Sequence, residues 1–477
     1  MNRTKIEVTR LASSLGPWQS RRGPLKTRLK DALVALILNG ELLSGETLPP
    51  ERALAAALAV SRNTVAGGYD LLREDGFLET RRASGSTIRF NDGGERVHEY
   101  RARAIRETVA IGDSALEPGD VIDFAVADIE LPQIFDRYVR TFEPERVRAA
   151  RADTTYAPHG LPELREALAA YYCKRGLRTT PEQILITSGG QQAISLTLAL
   201  RVQRGDTVAV QNPTFFIALD ALRMAGARLC TLPQIAASRL AYVIPTHHNP
   251  TGETMPVAER ESFAKTIDNL GIATIEDAAL EELGYDAAVP PPVASFSSSG
   301  SILVAGSFNK VFWSGLRVGW IRASAGAIEH LARLKTVTDL GNNVISQNIA
   351  LNVLKDWERV CEYRRAELRQ KLESTTALLD RHLPSWSYTV PKGGFCLWLQ
   401  LPANDVRPYV QLARRFGVNI IAGSSMTIDG SHTDRLRLVF SGPPELTAEG
   451  ISRLARAWQV FSSRGYAAQS PVPALVV

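Results

Sequence analysis

Cysteine is scarce in this chain. Cys173, Cys230, Cys361 and Cys396 are four among 477 residues, widely spaced and without a Cys-x-x-Cys pair, which argues against a disulfide framework and gives no reason to expect zinc or another metal. Long apolar runs are lacking as well. No stretch approaches the roughly 18 residues of a membrane span, and the polar start Met1-Asn2-Arg3-Thr4-Lys5 has no apolar core of a secretory signal. The expected location is therefore the cytoplasm, with reduced thiols and no membrane partner. Internal repeats are absent too, so a solenoid or propeller is not expected.

A large excess of one charge is also missing, because 55 Lys and Arg nearly balance 50 Asp and Glu. What excess exists is localised. Residues 1–90 carry 14 basic and 9 acidic side chains, whereas residues 91–477 carry 41 of each. A modest cationic surplus at one end suits a polyanion or merely a solvated basic face, and motifs must decide between them. At 477 residues with 45% hydrophobic and 22% charged composition, the chain has material for two to four globular domains.

Leu25, Leu29, Leu33, Leu36 and Ile37 recur at helical spacing, and Asn39-Gly40 supplies a stop. Pro50 opens a second, Ala-rich helix through Leu58, and Ser61 is placed to cap a third running through Leu72. Phe77–Arg82 and Ser86–Phe90, split by Ala83-Ser84-Gly85, read as a hairpin. Three helices and a hairpin make a winged helix. In a helix-turn-helix the second helix presents its N-terminal residues to base edges; here these are Arg62, Asn63 and Thr64, with Ser61 facing a backbone phosphate. Val65, Tyr69 and Leu72 fall on the inner face, while Arg81, Arg82 and Arg89 on the hairpin are available to phosphates or the minor groove. Residues 24–90, from Gly45-Glu46-Thr47-Leu48-Pro49-Pro50-Glu51-Arg52 to Gly76-Phe77-Leu78-Glu79-Thr80, resemble the GntR-type winged helix. The resemblance implies double-stranded DNA as partner. Gly67-Gly68 departs from the family pattern, and two mid-helix glycines at about 1 kcal/mol each are expected to soften the recognition helix.

Residues 91–120, rich in Gly and charge and containing Arg101, Arg103 and Arg106, are expected to be a linker between a 20–90 DNA-binding domain and a 121–470 domain. Beyond it, strand candidates Ile184–Thr187, Val208–Gln211, Tyr242–Pro245, Ile272–Glu276 and Ile302–Ser307 alternate with helical stretches such as Gln191–Arg201 and Val257–Leu270. This alternation predicts an α/β domain with a mainly parallel sheet. From about residue 345, a long helical stretch precedes Gly393–Leu399 and Arg435–Phe440, consistent with a smaller α+β lobe.

Several chemistry-bearing residues cluster at expected strand ends and turns. Ser307-Phe308-Asn309-Lys310 is followed by Gly315-Leu316-Arg317-Val318-Gly319, setting a lysine at an apolar strand's end beside small and cationic residues suited to a phosphorylated aldehyde. Asp277 closes another strand, Asn249-Pro250-Thr251-Gly252 is a turn, and Ser188-Gly189-Gly190 joins a strand to a helix whose dipole suits a phosphate. Singly, each has an ordinary structural explanation.

In this order they resemble fold-type I, pyridoxal 5'-phosphate (PLP) dependent aminotransferases from Pro118 onward. Together with the N-terminal module the chain resembles the MocR subgroup of GntR regulators over most of residues 24–445. The resemblance implies that Lys310 carries PLP as a Schiff base, Asp277 holds the pyridine nitrogen, Asn249 the phenolic oxygen, and Phe215 stacks on the ring. It implies Ser188, Gly189, Gly190, Ser307 and Arg317 as phosphate ligands, and Tyr156 as a residue reaching the neighbouring subunit's phosphate in a homodimer. Arg437 would take a substrate α-carboxylate, a choice over Arg435 on the same strand face that rests on the resemblance. Ala279 departs from it, because the subgroup usually places a tyrosine there. The expected function is a PLP-dependent transcriptional regulator sensing an amine, an amino acid or PLP, the alternative being an aminotransferase with an appended winged helix.

Overall fold

The computed structural model describes residues 6–8, 11, 12, 15, 18, 24–38, 42, 45–81, 85–89, 121–140, 156–285 and 289–463. The expected linker 91–120 with Arg101, Arg103 and Arg106, the Asn39-Gly40 stop, Arg82, Ala83, Ser84 and Phe90 lie outside the described residues. The chain divides into two compact units, one of N-terminal residues together with 203–207 and 222–229, and one holding the remaining bulk of the chain.

In the N-terminal unit, α1 (Leu25–Leu38), α2 (Glu51–Ala57) and α3 (Arg62–Glu74) precede β1 (Leu78–Arg81), which pairs antiparallel with β2 (Gly85–Ile88). Ser61 caps α3 by accepting the Thr64 N–H at 3.1 Å, satisfying one of the orphan amides of a helix start. The inner face of α3, Val65, Tyr69 and Leu72, joins Leu29, Leu33, Ile37 and Leu54 in one core that also takes in Leu11, Leu15 and Trp18 from upstream of residue 20. Each fully buried aliphatic contributes roughly 1.5–3 kcal/mol, enough in sum to hold three short helices together. The glycine pair expected to soften α3 has another physical role. A Cβ on Gly68 would stand 3.3 Å from Leu29 Cδ2 and 3.4 Å from the Lys26 carbonyl oxygen, so lack of a side chain lets α1 cross close to an unbroken α3.

The larger unit is built on a seven-stranded sheet of order β4-β10-β9-β8-β7-β5-β6. These strands are β4 (Ile184–Thr187), β5 (Thr207–Val210), β6 (Arg228–Thr231), β7 (Leu240–Val243), β8 (Ala273–Asp277), β9 (Ile302–Ser307) and β10 (Gly319–Arg322), numbered after β3 (Ile122–Asp123). Strands β5, β7, β8 and β9 run parallel, and β10 runs antiparallel to both β9 and β4. Helices between the strands cover the sheet, which is why β4, β7, β9 and β10 are buried along their whole lengths. Lys310 does not end its strand, as the sequence suggested. β9 stops at Ser307, and Lys310 lies three residues later in a turn.

This topology brings the expected site residues to one edge. The carboxyl ends of the parallel strands, the end of β4 and the beginning of the reversed β10 all face the same side, the usual ligand side of an open α/β sheet. Beyond β10, α4 (Trp357–His382) leads to an antiparallel sheet of order β11-β12-β15-β14, made of β11 (Ser387–Tyr388), β12 (Cys396–Gln400), β14 (Ile421–Ala422) and β15 (Arg435–Val439). The lobe expected from about residue 345 also recruits the segment after the linker region. β3 pairs in parallel with β13 (Val418–Asn419), and the Val439 N–H donates to the Phe124 carbonyl at 3.0 Å.

Candidate functional site

Lys310, Asp277, Asn249, Phe215 and Arg437 line one cavity of roughly 120 Å³, together with Ala125, Val126, Ala127, Phe216, Ala279 and Phe395. The Lys310 Nζ donates to the Ala127 carbonyl at 2.7 Å and lies 5.5 Å from the centre of the Phe395 ring. Burial foremost, then the Arg437 guanidinium, lowers its pKa to about 8, with Asp128 acting in the opposite sense. Asp277, the last residue of β8, accepts the Tyr242 hydroxyl at 2.7 Å and the Ala279 N–H at 3.0 Å. Burial raises its pKa, and those two hydrogen bonds oppose the shift.

Arg437 is buried on β15, where one guanidinium nitrogen donates to Asn249 Oδ1 at 3.2 Å and another to the Ala125 carbonyl. Its Nε finds no partner among the described residues. Arg435, its neighbour on the same strand face, is instead partly exposed beside Asp434 and absent from the cavity lining. Tyr156 is 67% exposed, away from the cavity.

The polar residues expected around a phosphate converge beside Lys310. Arg317, in the left-handed region at φ 55°, donates to the Ser188 carbonyl at 2.9 Å. Gly189 has φ 85°, and a Cβ there would lie 3.0 Å from Asn309 Nδ2 and 3.4 Å from Arg317 Nη2. A Cβ on Gly190 would meet the Ser307 Cβ at 3.7 Å. Only a strand-to-helix turn without side chains leaves this concavity open. Ser188 is oriented from both sides, its N–H donating to Gln192 Oε1 at 2.6 Å and its Oγ accepting from Asn342 Nδ2 at 2.7 Å.

Sequence reasoning missed Tyr242, Asn309, Asn342, Phe395 and the carbonyls of Ala125 and Ala127. Tyr242 and Phe395 read as ordinary strand and core aromatics, and a backbone carbonyl carries no residue signature. Tyr242 could have been found from the need of a buried carboxylate such as Asp277 for a donor.

In the N-terminal unit, Ser61, Arg62 and Asn63 are exposed at the start of α3 and Thr64 is half-buried. The Ser61 and Thr64 hydroxyls lie 2.8 Å apart, and Arg62 reaches back to Glu51 at 3.3 Å. Tyr69 fixes α3 from within by donating to the Pro49 carbonyl at 2.9 Å. Arg81 closes β1, and Arg89 pairs with Glu79 at 3.1 Å.

Residues 25–88 match the gntR family of bacterial regulatory proteins, and residues 120–454 match aminotransferase class I and II. An uncharacterised helix-turn-helix transcriptional regulator of Bacillus subtilis, YisV, is 27% identical over 90% of this chain and 95% of its own length. The probable rhizopine catabolism regulatory protein MocR of Rhizobium meliloti is 26% identical over 93% of this chain and 95% of its own. Among solved structures, the α-aminoadipate aminotransferase LysN of Thermus thermophilus, complexed with N-(5'-phosphopyridoxyl)-L-leucine, superposes with a TM-score of 0.65 at 27% identity, covering 72% of this chain and 94% of that one. PLP is the cofactor of this fold family. The chain belongs to the class I and II aminotransferase family and, with its GntR winged helix, to the MocR-type GntR regulators.

Proposed function

We propose that this protein is a PLP-dependent, DNA-binding transcriptional regulator that senses an amine, an amino acid or PLP itself, acting as a cytoplasmic homodimer. The observation that carries this reading is the convergence of Lys310, Asp277, Asn249, Phe215 and Arg437 on one cavity, in a chain whose α3 also exposes Ser61, Arg62 and Asn63.

The residues fit the cofactor. The side-chain-free concavity at Gly189, bordered by Asn309 and Arg317, suits a phosphate, for which Ser188, Gly190 and Ser307 would add donors. When bound, PLP supplies an aldehyde that takes amines covalently and a pyridine ring that withdraws electrons. Lys310 would offer the amine, which its surroundings keep partly neutral near physiological pH. Asp277, fixed by Tyr242 and the Ala279 N–H, would hold a proton on the pyridine nitrogen. Phe215 would give the ring an apolar face, Asn249 would donate to its phenolic oxygen, and Arg437 would orient a ligand carboxylate. The exposed Tyr156 is assigned to the partner subunit's phosphate. On DNA, Arg62, Asn63 and Thr64 would meet base edges, with Ser61, Arg81 and Arg82 on the backbone.

Transmission follows from two hydrogen bonds. Lys310 and Arg437 hold the carbonyls of Ala127 and Ala125, which belong to the segment following residues 91–120. A carboxylate that takes Arg437 competes with the Ala125 carbonyl, and Lys310 can hold the Ala127 carbonyl only while its amine is free of the cofactor. Ligand and DNA affinity are thereby coupled, to the extent that the ligand favours one arrangement of this segment.

The test is fluorescence anisotropy of PLP-loaded protein on DNA from its own upstream region, titrated with amino acids and amines. At least one should change DNA affinity, and Lys310→Ala should abolish that response. DNA binding indifferent to PLP and every amine would overturn the sensing role. Retention of Asn249 and Arg437 beside Lys310 also supports a second reading, an aminotransferase. Steady amino-acid turnover without sequence-specific DNA binding would favour it.

A further inference from the structure

A second cleft of roughly 610 Å³ lies on the other side of the turn that carries Asn249, and nothing in the proposed function uses it. Its walls include His248, Glu253 and Glu259 from the large domain and Lys392 from the loop before β12. His248 is 5% exposed, and its Nε2 has no partner among the described residues. The state of that nitrogen follows from its neighbours. Thr251 Oγ1 donates to Glu253 Oε2 at 3.2 Å and so accepts from His248 Nδ1 at 2.9 Å, which places the ring proton on Nδ1 and leaves a lone pair on Nε2. Burial lowers the His248 pKa to about 4, so the ring is neutral near pH 7. A buried acceptor without a donor is costly. Two carboxylates and one ammonium line the same cleft.

We propose that this cleft is a second, non-covalent binding site for a small amino acid or related zwitterion, whose ammonium N–H is donated to His248 Nε2 near Glu253 and whose carboxylate is paired with Lys392. The site stands apart from Lys310 and does not need PLP, but it is coupled to the first cavity. Ile244 lines both. The two lobes also interlock here, since a Cβ on Gly252 would stand 2.6 Å from the Pro391 Cβ and one on Gly393 would stand 2.3 Å from the His247 ring. An occupant therefore bears on the turn that positions Asn249, the partner of Arg437.

N,N-dimethylglycine separates this site from the covalent one, because its tertiary ammonium keeps one N–H but cannot form a Schiff base. Glycine betaine is its twin without the N–H. With full-length, PLP-loaded protein, calorimetry and saturation-transfer NMR should register dimethylglycine binding at least about tenfold tighter than betaine. His248→Leu should remove that preference. Glu253→Gln and Lys392→Met, at exposed positions, should each weaken binding severalfold without disturbing the fold. No binding at millimolar concentration, equal binding of the two compounds, or indifference to Glu253→Gln and Lys392→Met would each overturn the proposal. Loss of dimethylglycine binding in the Arg437→Gln protein would also overturn it, by placing the compound at the Lys310 cavity.

Discussion

The environment of Lys310 makes a quantitative prediction that does not require the cofactor. Burial and the Arg437 guanidinium lower its pKa from 10.5 to about 8. At pH 7 about one tenth of the amine is then neutral, against a few parts in ten thousand for a solvated lysine, a gain of about 300-fold in reactive form. Competitive acetylation of PLP-free protein, read by mass spectrometry on the peptide carrying Lys310, measures that midpoint against the other lysines. The reaction should rise through about pH 8. Two substitutions should move it in opposite directions. Arg437→Gln removes a repelling charge and raises the midpoint, and Asp128→Asn removes an attracting one and lowers it. The sign for stability follows. Between about pH 8 and 10.5 the unfolded chain binds more protons at this position than the folded one, so stability of the PLP-free protein from this group rises with pH across that window. Titration of Lys310 with the surface lysines, or both substitutions shifting the midpoint the same way, would refute the reasoning.

Two further substitutions probe glycines whose roles differ. Gly189→Ala forces a side chain into φ 85° and to within 3.0 Å of Asn309; a loss of about 1–3 kcal/mol should appear as about 5- to 150-fold weaker PLP retention after gel filtration, with Lys310 untouched. In α3, Gly67→Ala meets only the flexible Lys26 side chain at 3.1 Å, whereas Gly68→Ala also meets the Lys26 carbonyl oxygen at 3.4 Å and Leu29 at 3.3 Å. Hydrogen exchange of α3 amides should therefore slow up to about fivefold in the first variant, reflecting about 1 kcal/mol of helix propensity, and show no slowing in the second.

The winged helix was legible because its signals are local. Leucine spacing gave α1 over Leu25–Leu38 without error, and Ser61 gave the start of α3. Among the sheet strands, apolar runs such as Ile184–Thr187 and Ile302–Ser307 were readable to the residue. β10 was not, since Gly319–Arg322 reads as the tail of a glycine-rich loop and becomes a strand only because Gly319 lets the backbones of Gly189 and Gly306 approach within 3 Å of where a Cβ would stand. The recruitment of Ile122–Asp123 by Val418–Asn419 was equally hidden, because two-residue pairing across nearly 300 positions leaves no periodicity. Motif order located the side chains of the candidate site but not what restrains them. Tyr242 on Asp277 and the carbonyls on Lys310 and Arg437 are products of tertiary placement.

Those restraints bound what the site can signal. Arg437 already spends its guanidinium on Asn249 Oδ1 and the Ala125 carbonyl, and Lys310 spends its proton donor on Ala127. An incoming carboxylate must replace the Arg437 bonds, so part of its intrinsic affinity goes into releasing the Ala125 carbonyl. A hydrogen bond to a charged group is worth about 1.5–3 kcal/mol net, the same range as typical coupling energies of about 1–3 kcal/mol. Release of one carbonyl would therefore bound the change in DNA affinity at about 10- to 150-fold, and the ligand can deliver no more than its own preference between the held and released states. A ligand lacking a carboxylate leaves the Ala125 contact in place, and by displacing Lys310 from the cofactor it would only return the Lys310 donor to Ala127. Amines and amino acids of equal reactivity toward the cofactor should therefore differ in how far they shift DNA binding, the amino acids shifting it further.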